Sequence, residues 1–200
     1  MKIIMIRHGA TKGNKEGRYV GWTDEGITHD SKRLLEEWHE KDRIFSKVTD
    51  VVISPLLRCR QTADILFPGR AAIEVPELRE CNFGDFEYKN YKELNGNPVY
   101  QRYIDSNGET GFPNGETKAQ FQNRCIKGFC NVMKRYEESA PDMVAFVVHG
   151  GTVMALLDAY SSPHKDYYEW HIHNGEGLIM DLFRREDGFI MEHIEKIGNI

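Results

Sequence analysis

The stretch Met1-Lys2-Ile3-Ile4-Met5-Ile6-Arg7-His8-Gly9 decides how the rest of the chain is read. Its four successive apolar residues leave no polar face, which suits a strand covered on both sides. The run stops at a guanidinium, an imidazole and a glycine. Two similar runs follow. Val51-Val52-Ile53 ends in Ser54-Pro55, and Val144-Ala145-Phe146-Val147-Val148 ends in His149-Gly150-Gly151. Short β-branched runs that stop at Gly or Pro predict buried strands of parallel type.

Helical spacing fills the intervals. Segment 28–42 places Leu34, Leu35 and Trp38 on one face. Segment 54–67 opens with Ser54 as its predicted N-cap and Pro55 at the first helical position. Segment 117–136 carries Phe121, Cys125, Phe129, Val132 and Tyr136 at steps of three or four, with Thr117 and Gln120 as a capping box. A further helix is expected over 151–160. Two final strands, 178–183 and 189–195, read as a hairpin across Glu186-Asp187-Gly188. Strands alternating with helices predict an α/β fold, a three-layer α/β/α sandwich with a mostly parallel central sheet. Segment 78–115 breaks the alternation. Rich in Asn, Gly, Tyr and Phe, it is expected to form a small lid insertion beside the sheet. With 200 residues and no repeat or linker, one domain over 1–200 is expected.

Composition narrows the classes. The chain is 40% apolar and 28% charged, ordinary for a soluble globular protein. No run reaches the ~18–20 apolar residues of a membrane helix, and the opening run is too short for a signal peptide, so a cytoplasmic location is expected. The net charge of −5 argues against nucleic acid or an anionic membrane as partner. Cys59, Cys81, Cys125 and Cys130 form no C-x-x-C pair and read as buried free thiols.

Open α/β sheets bind ligands beyond the carboxyl ends of their strands. Here those ends carry Arg7 and His8, Ser54 to Arg58, and His149. Two imidazoles and two guanidiniums are therefore expected on one sheet edge. Gly9 and Gly150 allow close backbone approach, and the helix after His149 offers free N–H groups to an anion. Arginine matches phosphate with a planar fork, so the set reads as a phosphate cradle with a histidine nucleophile at its centre. Arg60, two positions after Arg58, is expected to face solvent. His171 and His173 alternate and would share a strand face. Without a third ligand they read as structural residues, and no metal or other cofactor is expected. Asp85 and Glu87 are read as acids that shape the lid rather than as a two-carboxylate glycosidase pair.

The local strings are similar to one family. Arg7-His8-Gly9-Ala10-Thr11 with Asn14 resembles the R-H-G-x-[ST]-x-x-N signature of histidine phosphatases and phosphoglycerate mutases, and Gly21-Trp22-Thr23-Asp24 resembles the loop that follows. Ser54-Pro55-Leu56-Leu57-Arg58-Cys59-Arg60-Gln61-Thr62-Ala63 looks like the family's arginine helix, Leu78-Arg79-Glu80 its acid-bearing segment, and Val147-Val148-His149-Gly150-Gly151 its second histidine strand. Five ordered blocks over 1–157 identify the chain as resembling this superfamily and its phosphoglycerate mutase-like fold. The resemblance implies that His8 is phosphorylated, that Arg7, Arg58, His149 and Asn14 hold the phosphoryl oxygens, and that Glu80 is the proton donor. It implies substrate contacts at Thr11, Gly21, Thr23 and Gly150. There are departures: Ala10 stands where Glu or Gln is usual, Tyr88 replaces a common Gly, and Ser31 stands where a Gly often follows the first helix start. These put substrate preference and local backbone shape in question, not the chemistry.

Within the superfamily, the compact segment between Glu80 and Thr117 favours hydrolysis over mutase chemistry. The strings Phe83-Gly84-Asp85-Phe86-Glu87 and Phe112-Pro113-Asn114-Gly115-Glu116-Thr117 resemble those of the alpha-ribazole phosphatases, cobalamin-pathway enzymes that dephosphorylate a nucleotide-like ester. The implied partner is a small phosphorylated metabolite, with self-association as a homodimer allowed for. A phosphoglycerate-type phosphotransferase and a non-catalytic phosphate-binding module are the competing readings. The intact set of His8, Arg7, Arg58, Glu80 and His149 argues against the module.

Overall fold

The structure, a computed structural model, describes residues 1–106, 108–137, 141–186 and 188–198. Six strands form one sheet: β1 (Lys2–Arg7), β2 (Asp50–Ile53), β3 (Ala72–Glu74), β4 (Met143–Val148), β5 (Gly177–Arg185) and β6 (Gly188–Ile197), in the order β3-β2-β4-β1-β5-β6. The first four in that order run parallel, and β5 and β6 are antiparallel. The mostly parallel sheet read from the apolar runs is therefore present. β3 was not foreseen, because three residues are too few for a period to show. The β5–β6 hairpin pairs as expected, with Arg185 opposite Gly188; Asp187 of its turn lies outside the described residues.

Strand alternation sorts the core into two faces. Ile3, Met5, Val52, Val144, Phe146 and Val148 point to one side. There they meet Phe121, Cys125 and Phe129 of α6 (Lys118–Lys134) and Val153, Leu156 and Leu157 of α7 (Gly150–Tyr160). Ile4, Ile6, Val51, Ile53, Ala145 and Val147 point to the other. They meet Leu35 and Trp38 of α2 (His29–Lys41) and Cys59, Ala63 and Leu66 of α3 (Leu57–Leu66). This is the three-layer arrangement, and it explains why β1, β2 and β4 read as continuous apolar runs. Cys59, Cys81 and Cys125 are buried free thiols, and Cys130 is half-buried.

Two local expectations need correction. Ser54 is not a helix cap: α3 begins at Leu57, and its N-cap, Leu56, makes no side-chain cap bond. The first N–H of α3 donates instead to Asp24 Oδ1 at 2.7 Å, a cap supplied from 33 residues upstream that local spacing cannot reveal. His171 and His173 do not lie on a strand; they sit in the loop between the 3₁₀ turn Tyr167–Trp170 and β5. The Thr117–Gln120 capping box of α6 is present as read from the sequence.

Segment 78–115 folds as a cap of short pieces, including α4 (Tyr91–Leu94) and α5 (Pro98–Asp105). The cap is held by an aromatic cluster of Phe83, Phe86, Tyr100, Tyr103 and Phe112 that reaches across to Tyr19, with ring centroids 4.5 to 6.5 Å apart. Tyr19 follows the four-residue helix α1 (Lys12–Lys15). Gly84 has φ +51°, and a Cβ there would lie 2.0 Å from Pro113 O, so this crossing of the cap needs glycine.

Candidate active site

Strand register assembles the site. Arg7 pairs with Val148 and Ile53 with Val147, so His8, Ser54 and His149 leave three adjacent parallel strands at the same edge. The His8 and His149 rings lie 5.1 Å apart at 66°. Because β5 runs antiparallel, the loop before it arrives at this edge too. It brings His171, Ile172 and Asn174 against β1.

Each imidazole has a defined tautomer by its partners. His8 Nδ1 donates to Gly9 O at 2.8 Å, which leaves Nε2 as a lone pair facing the Nε–H of Arg58 at 3.2 Å. The same N–H reaches His149 Nδ1 at 3.3 Å. His149 Nε2 then donates to the buried Ser54 hydroxyl at 2.7 Å. Burial, deepened by the Arg58 and Arg7 guanidiniums, holds the His8 imidazole well below its ordinary value of 6.5. Burial and Arg58 do the same to His149. Both rings are neutral, and His8 presents an unprotonated nitrogen of the kind a nucleophile needs.

The two arginines are held differently. Arg58 is fully buried; its Nη1 donates to Thr23 O, and its Nη2 donates to Gly21 O and Val20 O. Arg7 donates through Nη1 to Ile172 O at 2.7 Å and meets His171 Nε2 at 3.2 Å. Its Nε is buried with no hydrogen-bond partner among the described residues. A buried guanidinium N–H without a partner is costly in a folded protein and is a ready donor to an anion. Gly150 leaves it room: a Cβ there would sit 3.2 Å from Arg7 Nε and Cζ, a tight contact. Arg60 is exposed and pairs with Glu74, in keeping with its solvent-facing reading.

Glu80 enters from the cap. Its carboxylate accepts from Cys81 N at 2.9 Å and from Gly151 N at 3.1 Å. Burial pushes this carboxyl above its ordinary 4.5, against the opposing pull of those N–H groups and of Arg58 and Arg7. A raised carboxyl keeps its proton to higher pH than a free one, as a proton donor requires. Arg124 on α6, which the sequence reading did not single out, fixes the segment by donating to the carbonyls of Glu77, Arg79 and Glu80 while gripping Glu116 with two prongs.

The other predicted contacts fall as follows. Asn14 Oδ1 accepts from Thr11 N and from Asn174 Nδ2, while Thr11 is fully buried and caps α1. Gly21 and Thr23 lie behind Arg58, with their carbonyls turned to it. Asn174 also donates to His8 O; nothing near it in sequence marks that position. Beside Arg7 and Glu80 opens a cavity of about 220 Å³ walled by Phe83, Tyr103, Phe112, Phe121 and Tyr167, with Lys118 at its lining. His171, set aside from the sequence, lines this cavity as well as touching Arg7. Among the described residues no cluster of three or more His, Cys, Asp or Glu side chains is gathered to hold a metal ion, and no helix is long and apolar enough to cross a membrane.

Comparison with known proteins bears on family and fold. An uncharacterised phosphatase of Bacillus subtilis, PhoE, is 29% identical over 162 residues, covering 80% of this chain and 77% of its own. Phosphoglycerate mutase-like protein 4 of Arabidopsis thaliana is 23% identical over 163 residues, covering 78% and 70%. The crystal structure of the alpha-ribazole phosphatase of Shigella flexneri superposes with a TM-score of 0.78 at 22% identity, covering 96% of this chain and 94% of that one, which shows a common fold. The sequence profile of the histidine phosphatase superfamily (branch 1) matches residues 3–194. On that match, the chain belongs to the histidine phosphatase superfamily.

Proposed function

We propose that the chain is a phosphomonoesterase that moves a phosphoryl group from a small metabolite to His8 Nε2 and then to water. The observation that carries this reading is the arrangement at the sheet edge: His8 Nδ1 donates to Gly9 O and so leaves Nε2 unprotonated, facing the Arg58 Nε–H, while burial lowers His8 and raises the Glu80 carboxyl above its ordinary 4.5. In the first step the Nε2–P bond forms as the ester P–O bond breaks, and the Glu80 proton passes to the departing oxygen. In the second, Glu80 takes a proton from water, the hydroxyl oxygen bonds to phosphorus, and the Nε2–P bond breaks. Arg7 Nε, Arg58 Nε and the Asn14 amide stabilise charge on the phosphoryl oxygens, which is most of what phosphoryl transfer asks of a protein. His149 serves the same group from the facing strand.

The aromatic walls favour a leaving group with a flat, apolar body over glycerate, which offers nothing for those rings to cover. Alpha-ribazole 5'-phosphate has that character, and the structural neighbour from Shigella flexneri is named for it. The test is turnover with p-nitrophenyl phosphate in the presence of chelator, then a panel of alpha-ribazole 5'-phosphate, sugar phosphates and 3-phosphoglycerate with a bisphosphate primer. Hydrolysis unchanged by chelator is expected, with alpha-ribazole 5'-phosphate preferred. Isomerisation of phosphoglycerate faster than any hydrolysis would replace this reading with the mutase one.

A further inference from the structure

Glu87 is the second of the two acids read as shaping the lid, and it lies outside every role given so far. Its carboxylate gathers five donors. Oε2 accepts from Gly21 N at 3.2 Å, Thr23 N at 3.4 Å and the Thr23 hydroxyl at 2.8 Å. Oε1 accepts from Trp22 N at 2.8 Å and Phe83 N at 3.1 Å. Four of the five come from the loop whose carbonyls hold Arg58. Gly21 and Thr23 thus face Glu87 with their N–H groups and Arg58 with their C=O groups, at 2.7 and 2.9 Å. An anion and a cation are joined through polarised peptide groups, an arrangement in which each hydrogen bond strengthens the next.

The junction is built closely. A Cβ on Gly21 would lie 2.1 Å from Cys81 O and 2.2 Å from Glu87 Oε1, so only glycine lets loop and cap approach this far. Phe86, the preceding residue, is buried in the aromatic cluster, which ties Glu87 to the cap. Arg58 in turn has its Nε between the two imidazoles and both other nitrogens committed to the loop. Where the loop sits decides where that Nε–H points.

We propose that Glu87 is a positioning residue for Arg58, acting through the loop 20–23, so that the cap and not the sheet edge alone sets the cation facing the phosphoryl group. The proposal rests on Arg58 serving that group. Glu87 itself touches neither His8 nor Glu80.

A double-mutant cycle tests this, because residues that act through one another are non-additive while independent ones add. Glu87→Gln keeps the shape but turns an amide NH₂ toward N–H donors on one side. It is expected to lower kcat/KM on p-nitrophenyl phosphate by about 10- to 100-fold, the size of an orientation error near 1 Å or less, and to weaken inorganic phosphate binding measured by calorimetry. Thr23→Val, which removes one of the five bonds and little else, should act in the same direction by a smaller factor, and Glu87→Asp should restore part of the loss. In an Arg58→Lys background, Glu87→Gln should cost no more than about twofold on either readout, as expected when its partner is already gone. An undiminished cost in that background overturns the proposal, and so does a Glu87→Gln protein with unaltered phosphate affinity. The calorimetric arm needs no turnover, so failure of the phosphomonoesterase reading would leave this cycle intact and separately legible.

Discussion

Replacing Gly151 by Ala isolates the proposed proton donor, Glu80. Gly151 lies in the first turn of α7, where Ala has about 1 kcal/mol better helix propensity than Gly, so the helix itself should tolerate the change. The new Cβ, however, would lie 2.2 Å from Glu80 Oε1 and 3.1 Å from its Cδ. Reaching an ordinary contact of 3.4 Å requires about 1.2 Å of retreat by the carboxylate. The backbone of Glu80 cannot supply it, since Glu80 O is held by Trp22 Nε1 and Arg124 Nη2, and Phe121 Cε1 already stands 3.1 Å from the new atom. The side chain must swing and give up its bond to Gly151 N. A misplacement near 1 Å costs about 10²-fold. Alkyl phosphates, whose leaving oxygen must be protonated, should therefore lose about 10² in kcat/KM, while formation of phosphohistidine from p-nitrophenyl phosphate should slow far less. Stopped-flow kinetics should show a nitrophenolate burst followed by slow turnover, because water still needs a base in the second step. Glu80→Gln should give the same pattern. Equal losses on both substrates without a burst would mean that Glu80 is not the acid, and Asp85 would be the next carboxylate to try.

His8→Ala should abolish turnover without unfolding the chain, and mass spectrometry after a quench that avoids acid should find phosphate on His8 in the parent protein; phosphate on a serine would refute the mechanism. The kcat/KM profile should have its acid limb below pH 6.5, because burial and the arginines lower His8, and its alkaline limb above pH 4.5, because burial raises Glu80. Glu80→Gln should erase the alkaline limb, and persistence of that limb would assign it to another group. Tyr88, which replaces the family's usual Gly, keeps a left-handed backbone at φ +60°, at a cost of roughly 1–2 kcal/mol, and anchors itself through its hydroxyl on Glu25 and the Arg18 guanidinium over its ring. Tyr88→Gly should then leave Tm within about 3 °C, whereas the β-branched Tyr88→Val should lower it by roughly 4–8 °C; the reverse order in a calorimetric scan would show that the backbone strain is not the deciding factor.

What the sequence disclosed was what local pattern controls. Runs 3–6, 51–53 and 144–148 form strands of the central sheet because unbroken apolar runs have few other stable fates, and each ends in the residue that the site gathers. What it hid was supplied across the fold. Ser54 reads as a cap from its place before a proline, yet the helix opens only at Leu57, and the hydroxyl turns to His149, 95 residues away. The cap of α3 comes from Asp24, and the grip on the Glu80 segment comes from Arg124. Asn174 carries no local signal, and His171 reads as merely structural, for a topological reason. The hairpin 178–195 was legible, but its pairing beside β1 was not, and only that antiparallel pairing carries the preceding loop to the site.

The same burial does opposite work on the proposed nucleophile, His8, and the proposed proton donor, Glu80. With ordinary values of 6.5 and 4.5, a neutral imidazole and a protonated carboxyl coexist in only about 1% of molecules at best, midway between the two. Withdrawal from water disfavours the charged form of each, which lowers His8 and raises Glu80, so the fraction of molecules holding both neutral forms rises. The arginines do not act so evenly. Arg58 and Arg7 push His8 further down but pull Glu80 back toward ionisation. Glu80 therefore depends on its apolar side, where Phe121 and the cap residues Cys81 and Phe83 line the same cavity. In the proposed mechanism this gives the cap a second task besides contacting a leaving group: it helps raise a carboxyl that two cations pull toward ionisation. A lid of polar loops could close over the site and still fail at that, which gives a physical reason for the aromatic residues of segment 78–115.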